Sequence, residues 1–448
     1  MNKYVFDYAV YPSVVPADKE STVIIHPLGE NTRFLPGVSY TVEIRGVETF
    51  CNNYAHLPVA WVNVTPNEAG DLVFSHHFAG EQRHALKLIR PQEDLDATPY
   101  REITHRSKRH ENLGAVLYVY SLNDDLYGRR GYKGEVHCHT YESDGIQDVC
   151  HTVGNYRSAG YDFLAITDHY ISMPSEKAKR VFDSAPVDMT LFVGEECHVP
   201  TEQIHAVHIG GEGSVNAYFR DNPEKSTAEM ETIKAELSHL PEHIDKTDYA
   251  WRVWIARKSR ELGGLSILAH PHWIWFDTYF MASAITQQLL KDGVYDALDI
   301  TDQEADTTYA LWAEMQAQGY RIPVVGCTDS HYTDADNPHR PAGNKGGYTL
   351  VFAPDRSEPS LMDAIRDGRS VAVNTSGDPK RVQGPYRYVK FARFLLDNFF
   401  PVYRRLCHGQ GVVMAEYSAD GAPIPESEHL LATLNQRGEA FARNFYGY

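Results

Sequence analysis

Gly134-Glu135-Val136-His137-Cys138-His139-Thr140-Tyr141-Glu142-Ser143-Asp144-Gly145 is the stretch around which this 448-residue chain is organised. Alternate residues of a strand project to one face, so His137 and His139 can reach one ion. Asp144 can return to the same ion from the following loop. An H-x-H pair alone is weak evidence of a metal site, because paired surface histidines are common. The downstream pattern is what strengthens it.

From residue 131 the chain repeats strand, candidate ligand, helix. Ile146, Val149, Cys150 and Val153 recur at helical spacing, ending near Gly160. The apolar strand Tyr161-Asp162-Phe163-Leu164-Ala165-Ile166 stops at Thr167-Asp168-His169, and Leu191-Phe192-Val193-Gly194 stops at Glu195-Glu196. Gln203-Ile204-His205-Ala206-Val207-His208-Ile209 reads as a further strand before a Gly-rich turn. An acidic, mostly helical insertion spans roughly 212–262. Leu265-Ser266-Ile267-Leu268-Ala269 then runs into His270-Pro271-His272. Val294-Tyr295-Asp296-Ala297-Leu298-Asp299-Ile300, a helix across 308–318, and Ile322-Pro323-Val324-Val325-Gly326 lead into Thr328-Asp329-Ser330-His331. Apolar strands separated by helices imply a parallel sheet or barrel, whose functional groups sit at the carboxyl ends of the strands. Repeated His, Asp or Glu at those ends is not an accident of composition.

The bulk numbers bound the rest. The length suggests two or three domains. A formal charge of -18 argues against general affinity for long nucleic acid or anionic membrane. The opening Met1-Asn2-Lys3-Tyr4-Val5-Phe6-Asp7 lacks the apolar core of a signal peptide, and no stretch approaches the ~20 apolar residues of a membrane span. The 6 cysteines are scattered without C-x-x-C, so a cytoplasmic location with reduced thiols is expected.

Residues 1–130 read as a β-sandwich-like domain. Tyr40-Thr41-Val42-Glu43-Ile44-Arg45 alternates apolar and polar. Ser21–Ile25, Leu72–Phe74, Leu86–Ile89 and Ala115–Tyr120 look like further strands between turn residues. His26, His76, His77 and His84 in this part show no ligand spacing. After the metal domain, Tyr348–Phe352, a short helix over 360–366 and Val371-Ala372-Val373 close residues 131–380. Tyr388, Phe391, Phe394, Leu395 and Phe399 then recur at helical spacing in a helical extension over 381–448. Its aromatic stripe predicts packing on the barrel, with a lid or a homo-oligomer contact as the alternative.

The donors gathered by this pattern are His137, His139, Asp144, His169, Glu196, His205, His270, Asp329 and His331. Imidazoles with a few carboxylates suit Zn, Mn or Fe rather than Ca or Mg. They exceed what one tetrahedral ion can use, so two or three divalent transition-metal ions are expected, with Glu196 bridging. Adjacent metals imply hydrolytic chemistry.

At these residues the chain resembles the PHP (polymerase and histidinol phosphatase) superfamily of metal-dependent phosphoesterases. The matching signatures are His137-x-His139 with Ser143-Asp144-Gly145, Ile166-Thr167-Asp168-His169 and Gly194-Glu195-Glu196. Leu268-Ala269-His270-Pro271 and Gly326-Cys327-Thr328-Asp329-Ser330-His331 complete the set. The resemblance covers about 131–375 and implies an α/β fold, a distorted (β/α)7 barrel with a di- or trinuclear site held by the nine donors above. It is similar most of all to the carbaryl-hydrolase-like branch, which implies a preceding β-rich domain and cleavage of carbamate or carboxylic esters rather than phosphates.

Some positions stay open. Glu135 stands where the family commonly has Asp. The ligand after Glu196 is His205 or His208, with His205 favoured because it keeps the family's distance to Gly210. Asp168 either orients the site by hydrogen bonding or transfers a proton. His272 either protonates a leaving group or is packed beside Trp273 and Trp275. Arg340 and Lys345 hold a substrate anion or belong to a solvated loop. The expected activity is phosphoester hydrolysis of a small-molecule or nucleotide-sized substrate. Carbamate or carboxylic ester hydrolysis is the first alternative and an inactive binding scaffold the second.

Overall fold

The computed structural model describes residue 2 and residues 4–49, 59–96, 115–301, 304–332, 346–375, 380–417 and 424–448. Contacts divide these into two units, Met1–Arg129 with Arg393–Tyr403 and Gln436–Tyr448, and Arg130–Ala392 with Arg404–Asn435.

In the first unit, Tyr8–Tyr11, Lys19–Pro27 and Leu72–Phe78 pair antiparallel. Val14–Pro16, Ala115–Leu122, Arg83–Ile89, Tyr40–Gly46 and Ala60–Val64 form a second sheet in that order. Alternation turns Val23, Ile25, Leu72 and Phe74 from one sheet, and Val42, Ile44, Leu86 and Leu88 from the other, into one core. The unit is not confined to the amino-terminal strands. It includes segments of the helices Tyr386–Asn398 and Pro425–Tyr446. The Phe394 ring lies 5.3 Å from that of Tyr120, and Ser13 N donates to the Phe445 carbonyl at 2.7 Å. The aromatic stripe of the C-terminal helices is therefore divided between the units, because Phe391 packs 5.5 Å from Phe352 in the second.

The second unit is α/β, with its apolar strands in two sheets. One has the order Thr190–Phe192, Phe163–Ala165, Arg130–Glu135, Gly347–Ala353, Ser370–Asn374, Arg381–Gln383. The other has the order Gly194–Cys197, Ala206–Ile209, Leu265–Leu268, Ala297–Asp299, Val324–Val325. Both feed one core: Phe163, Ala165 and Phe192 meet Val207, Ile267 and Val325. Beyond the strand ends, two isolated parallel bridges, Cys138 to Ser330 and His169 to Glu196, connect elements of one sheet to the other. Gly134 has to be glycine, since a Cβ there would stand 2.0 Å from the Phe163 ring. The helix Val149–Ser158 starts at Asp148, whose carboxylate accepts from Cys150 N and His151 N. Ile146 lies outside it and is exposed. The acidic insertion folds as Val215–Asp221, Pro223–Glu236 and Lys246–Glu261.

Several strands depart from the expected parallel order: Gly347–Ala353 runs antiparallel to Arg130–Glu135 and to Ser370–Asn374, and Arg381–Gln383 runs antiparallel to Ser370–Asn374. Ala206–Ile209 runs antiparallel to both Gly194–Cys197 and Leu265–Leu268. Its amino end, not its carboxyl end, therefore lies with the ligand-bearing ends of its neighbours. Among the described residues no helix is long and apolar enough to cross a membrane.

Candidate metal centre

Backbone hydrogen bonds bring the first and last motifs together. Asp329 N donates to the His137 carbonyl at 2.9 Å and His139 N to the Ser330 carbonyl at 2.8 Å. Glu135 pins the same junction: its Oε1 accepts from Val136 N, His137 N and Thr328 N at 3.0, 3.0 and 3.2 Å. Burial pushes its carboxyl up to about 8, against the lowering effect of these donors. Asp168 fixes the loop that carries Asp144, accepting from Thr140 N at 2.8 Å, Thr140 Oγ1 at 2.7 Å and Ser143 Oγ at 2.5 Å. His270 and Asp329 occupy the left-handed region at φ 25° and 48°. Such conformations cost about 1–3 kcal/mol each and cluster where geometry serves a site.

Glu196 is the centre of the arrangement, fully buried, with its two oxygens shared among imidazoles. Its Oε1 lies 2.8 Å from His205 Nδ1 and 3.2 Å from His270 Nε2. Its Oε2 lies 2.9 Å from His169 Nδ1, 3.3 Å from His137 Nε2 and 3.5 Å from His139 Nε2. Asp329 Oδ1 lies 3.1 Å from His139 Nε2 and 3.5 Å from His137 Nε2. Asp144 Oδ2 approaches His331 Nε2 at 3.1 Å and His169 Nε2 at 3.4 Å. The donor atoms fall into groups: His137, His139, Glu196, Asp329; Glu196, His205, His270; His139, Asp144, His169, His331; and His169, Glu196, His198.

The electrostatics follow from this crowding. Burial opposes ionisation of Glu196, but His137, His205 and His169 outweigh it and hold the carboxyl well below its ordinary range. Burial likewise lowers the imidazoles, yet Asp144 and Glu196 raise His169 to about 10. His331 is raised by Asp144 and Asp329, and His137 by Glu196 and Asp329. For His205 burial wins and lowers it to about 4.

All nine expected donors come together here, including His205 at the amino end of its reversed strand. His208 is buried elsewhere, its Nδ1 2.7 Å from Ser259 Oγ. Asp168 lies beside the cluster with both oxygens engaged by the Thr140–Ser143 loop. His272 is outside the donor groups, with its Nδ1 2.8 Å from Thr308 Oγ1 and its ring against Tyr279. Arg340 and Lys345 lie outside the described residues. Sequence reasoning missed His198, whose Nε2 stands 2.7 Å from His169 Nδ1 and 3.7 Å from Glu196 Oε2. The signal was available: Glu196-x-His198 has the same alternation as His137-x-His139.

The donor set fits divalent metal. Among the described residues, His137 Nδ1, His139 Nδ1 and His198 Nδ1 are buried without a hydrogen-bond partner. Such orphans are costly, and coordination would satisfy them. Mixed imidazole and carboxylate donors suit Zn, Mn or Fe.

No family model matches the chain, and no curated protein matches it. Among solved structures it is similar to a two-domain protein from Bacteroides vulgatus containing a predicted PHP-like metal-dependent phosphoesterase. That match has 17% identity, 55% of this chain, 66% of the other and a TM-score of 0.39. A protein from Bifidobacterium adolescentis, described among metal-dependent phosphoesterases, matches with 15% identity over 49% of this chain and 93% of its own, TM-score 0.34. An amidohydrolase from Chromobacterium violaceum, with bound sulfate and no metal, matches with 15% identity over 44% and 87%, TM-score 0.29.

Proposed function

We propose that the second unit is a metal-dependent hydrolase of the PHP type, acting first on phosphoesters of small molecules. The observation that carries this reading is Glu196, a buried carboxylate shared by His137, His169, His205 and His270 within 3.3 Å. The strands Arg130–Glu135, Phe163–Ala165, Gly194–Cys197, Ala206–Ile209, Leu265–Leu268, Ala297–Asp299 and Val324–Val325 are read as a distorted (β/α)7 ring, joined through the two isolated bridges.

In this reading His137, His139, Glu196 and Asp329 hold one ion, His205 and His270 with Glu196 a second, and Asp144, His169 and His331 a third. Bound divalent ions supply Lewis acidity and activate water at neutral pH. Asp168 and Glu135 keep the ligand loops in place by hydrogen bonding. His272 and, with a substrate anion, Arg340 and Lys345 are proposed to serve the leaving group and substrate. The buried Cys138, Cys150, Cys197 and Cys327 are free thiols, in keeping with a proposed cytoplasmic location.

Carbamate or carboxylic ester hydrolysis is a second reading with its own observation. No Lys or Arg stands within two residues of any of the nine donors, whereas phosphate recognition ordinarily recruits such cations. The test is turnover of phosphate monoesters, phosphodiesters and carboxylic esters by one metal-loaded preparation. Phosphomonoester turnover that disappears in His137→Ala/His139→Ala is expected. Faster carboxylic ester turnover would reverse the ranking, and inactivity on all classes with metal bound would defeat the hydrolase reading.

A further inference from the structure

Directly after His270-Pro271-His272 the chain makes a small antiparallel hairpin, Ile274–Trp275 against Thr278–Tyr279. Its turn residues, Phe276 and Asp277, have φ of 47° and 71°. That is the conformation Asn and Gly adopt readily and a bulky ring resists. Phe276 is nonetheless 84% exposed, and Trp275 is 50% exposed. Strain and solvated apolar area both oppose folding, so this tip costs the fold stability.

The hairpin is connected to the metal centre by rings in contact. His205 lies 4.6 Å from Phe280 and His270 lies 5.6 Å from Trp273, centroid to centroid. Trp273 meets Trp275 at 5.0 Å, and Trp275 meets Phe276 at 5.0 Å. An aromatic track thus runs from two donor imidazoles to solvent. Elsewhere along the ligand loops, the exposed Tyr141, Ile146, Tyr170 and Tyr332 each stand within two residues of a donor. Polar donors joined to exposed apolar rings suit a substrate with a planar apolar part.

We propose that the Trp275–Phe276 hairpin binds an aryl group of the substrate, so that the preferred esters of this centre carry an aromatic ring. This rests on the hydrolase reading above. Offset or edge-to-face packing of one ring on Trp275 accounts for about a tenfold difference in binding.

The experiment compares benzyl with butyl phosphate, and benzyl with butyl acetate, on the metal-loaded protein. Within each pair the leaving alcohols are of similar basicity. Trp275→Ala/Phe276→Ala should raise KM for the benzyl ester about tenfold at unchanged kcat, and leave the butyl ester within twofold. Phe276→Gly relieves the turn while deleting the ring, so it should raise Tm yet weaken the benzyl preference. Binding of the fluorescent planar probe 4-methylumbelliferone, followed by anisotropy, should weaken in parallel. Equal losses on benzyl and butyl esters, or unchanged probe binding in the variants, would overturn the proposal. Hairpin-dependent probe binding without turnover of any ester would defeat the hydrolase reading and leave the aryl site standing.

Discussion

Replacing Glu196 with Gln tests the centre most directly, because it keeps the shape and removes the charge. The carboxylate has imidazole nitrogens at 2.8, 2.9, 3.2 and 3.3 Å. At such separations a unit charge pair is worth about 5–6 kcal/mol at an effective dielectric near 20. After desolvation, breaking a buried pair typically costs about 3–5 kcal/mol. A divalent ion between these groups loses at least as much, so metal affinity should fall at least about 100-fold. Elemental mass spectrometry after dialysis, with a competitive chelator titration, measures this. Two to three ions are expected in the wild-type chain and fewer in Glu196→Gln. A variant that keeps the same number of ions, with affinity within about tenfold, would refute the bridging role and the grouping built on it.

Three further outcomes follow from the same geometry. Asp168→Asn weakens the hold on Thr140 and Ser143, and should cost about 2–3 kcal/mol in denaturant unfolding and about 10–100-fold in metal affinity. His198→Ala should lower metal affinity about tenfold without changing the ion count, since His198 reaches the cluster at its edge, 2.7 Å from His169 Nδ1 and 3.7 Å from Glu196 Oε2; chelator competition reads both. In metal-stripped protein, His169 is raised from 6.5 to about 10, so its stabilising contribution is complete below pH 6.5 and lost as pH rises through about 10. Asp144 is lowered, so its contribution is present above its ordinary 3.8 and lost as pH falls below that. Thermal melts of the stripped protein should therefore decline between pH 6.5 and 10, and His169→Gln should flatten that decline.

Much of the centre was legible in the chain because its donors sit where strands end. His137-x-His139, Asp168-His169, Glu196, His270 and Asp329-x-His331 each follow a short apolar run whose period is local. His205 against His208 was harder, since both lie near one strand and only its direction separates them. The contact of His272 Nδ1 with Thr308 Oγ1, 36 residues along the chain, is of the kind that adjacency to a donor does not announce.

By itself the sequence determined the donor types, the α/β alternation of the second unit and the two-sheet β-pattern of the first. Side-chain periodicity and strand propensity are carried by neighbouring residues, so these could be read without a fold. Only the tertiary structure decided that Ala206–Ile209 runs backwards, that His198 joins the cluster, and that the C-terminal helices are divided between two units. Those outcomes depend on pairings between residues distant in the chain, where burial and hydrogen bonding across sheets outweigh any local preference.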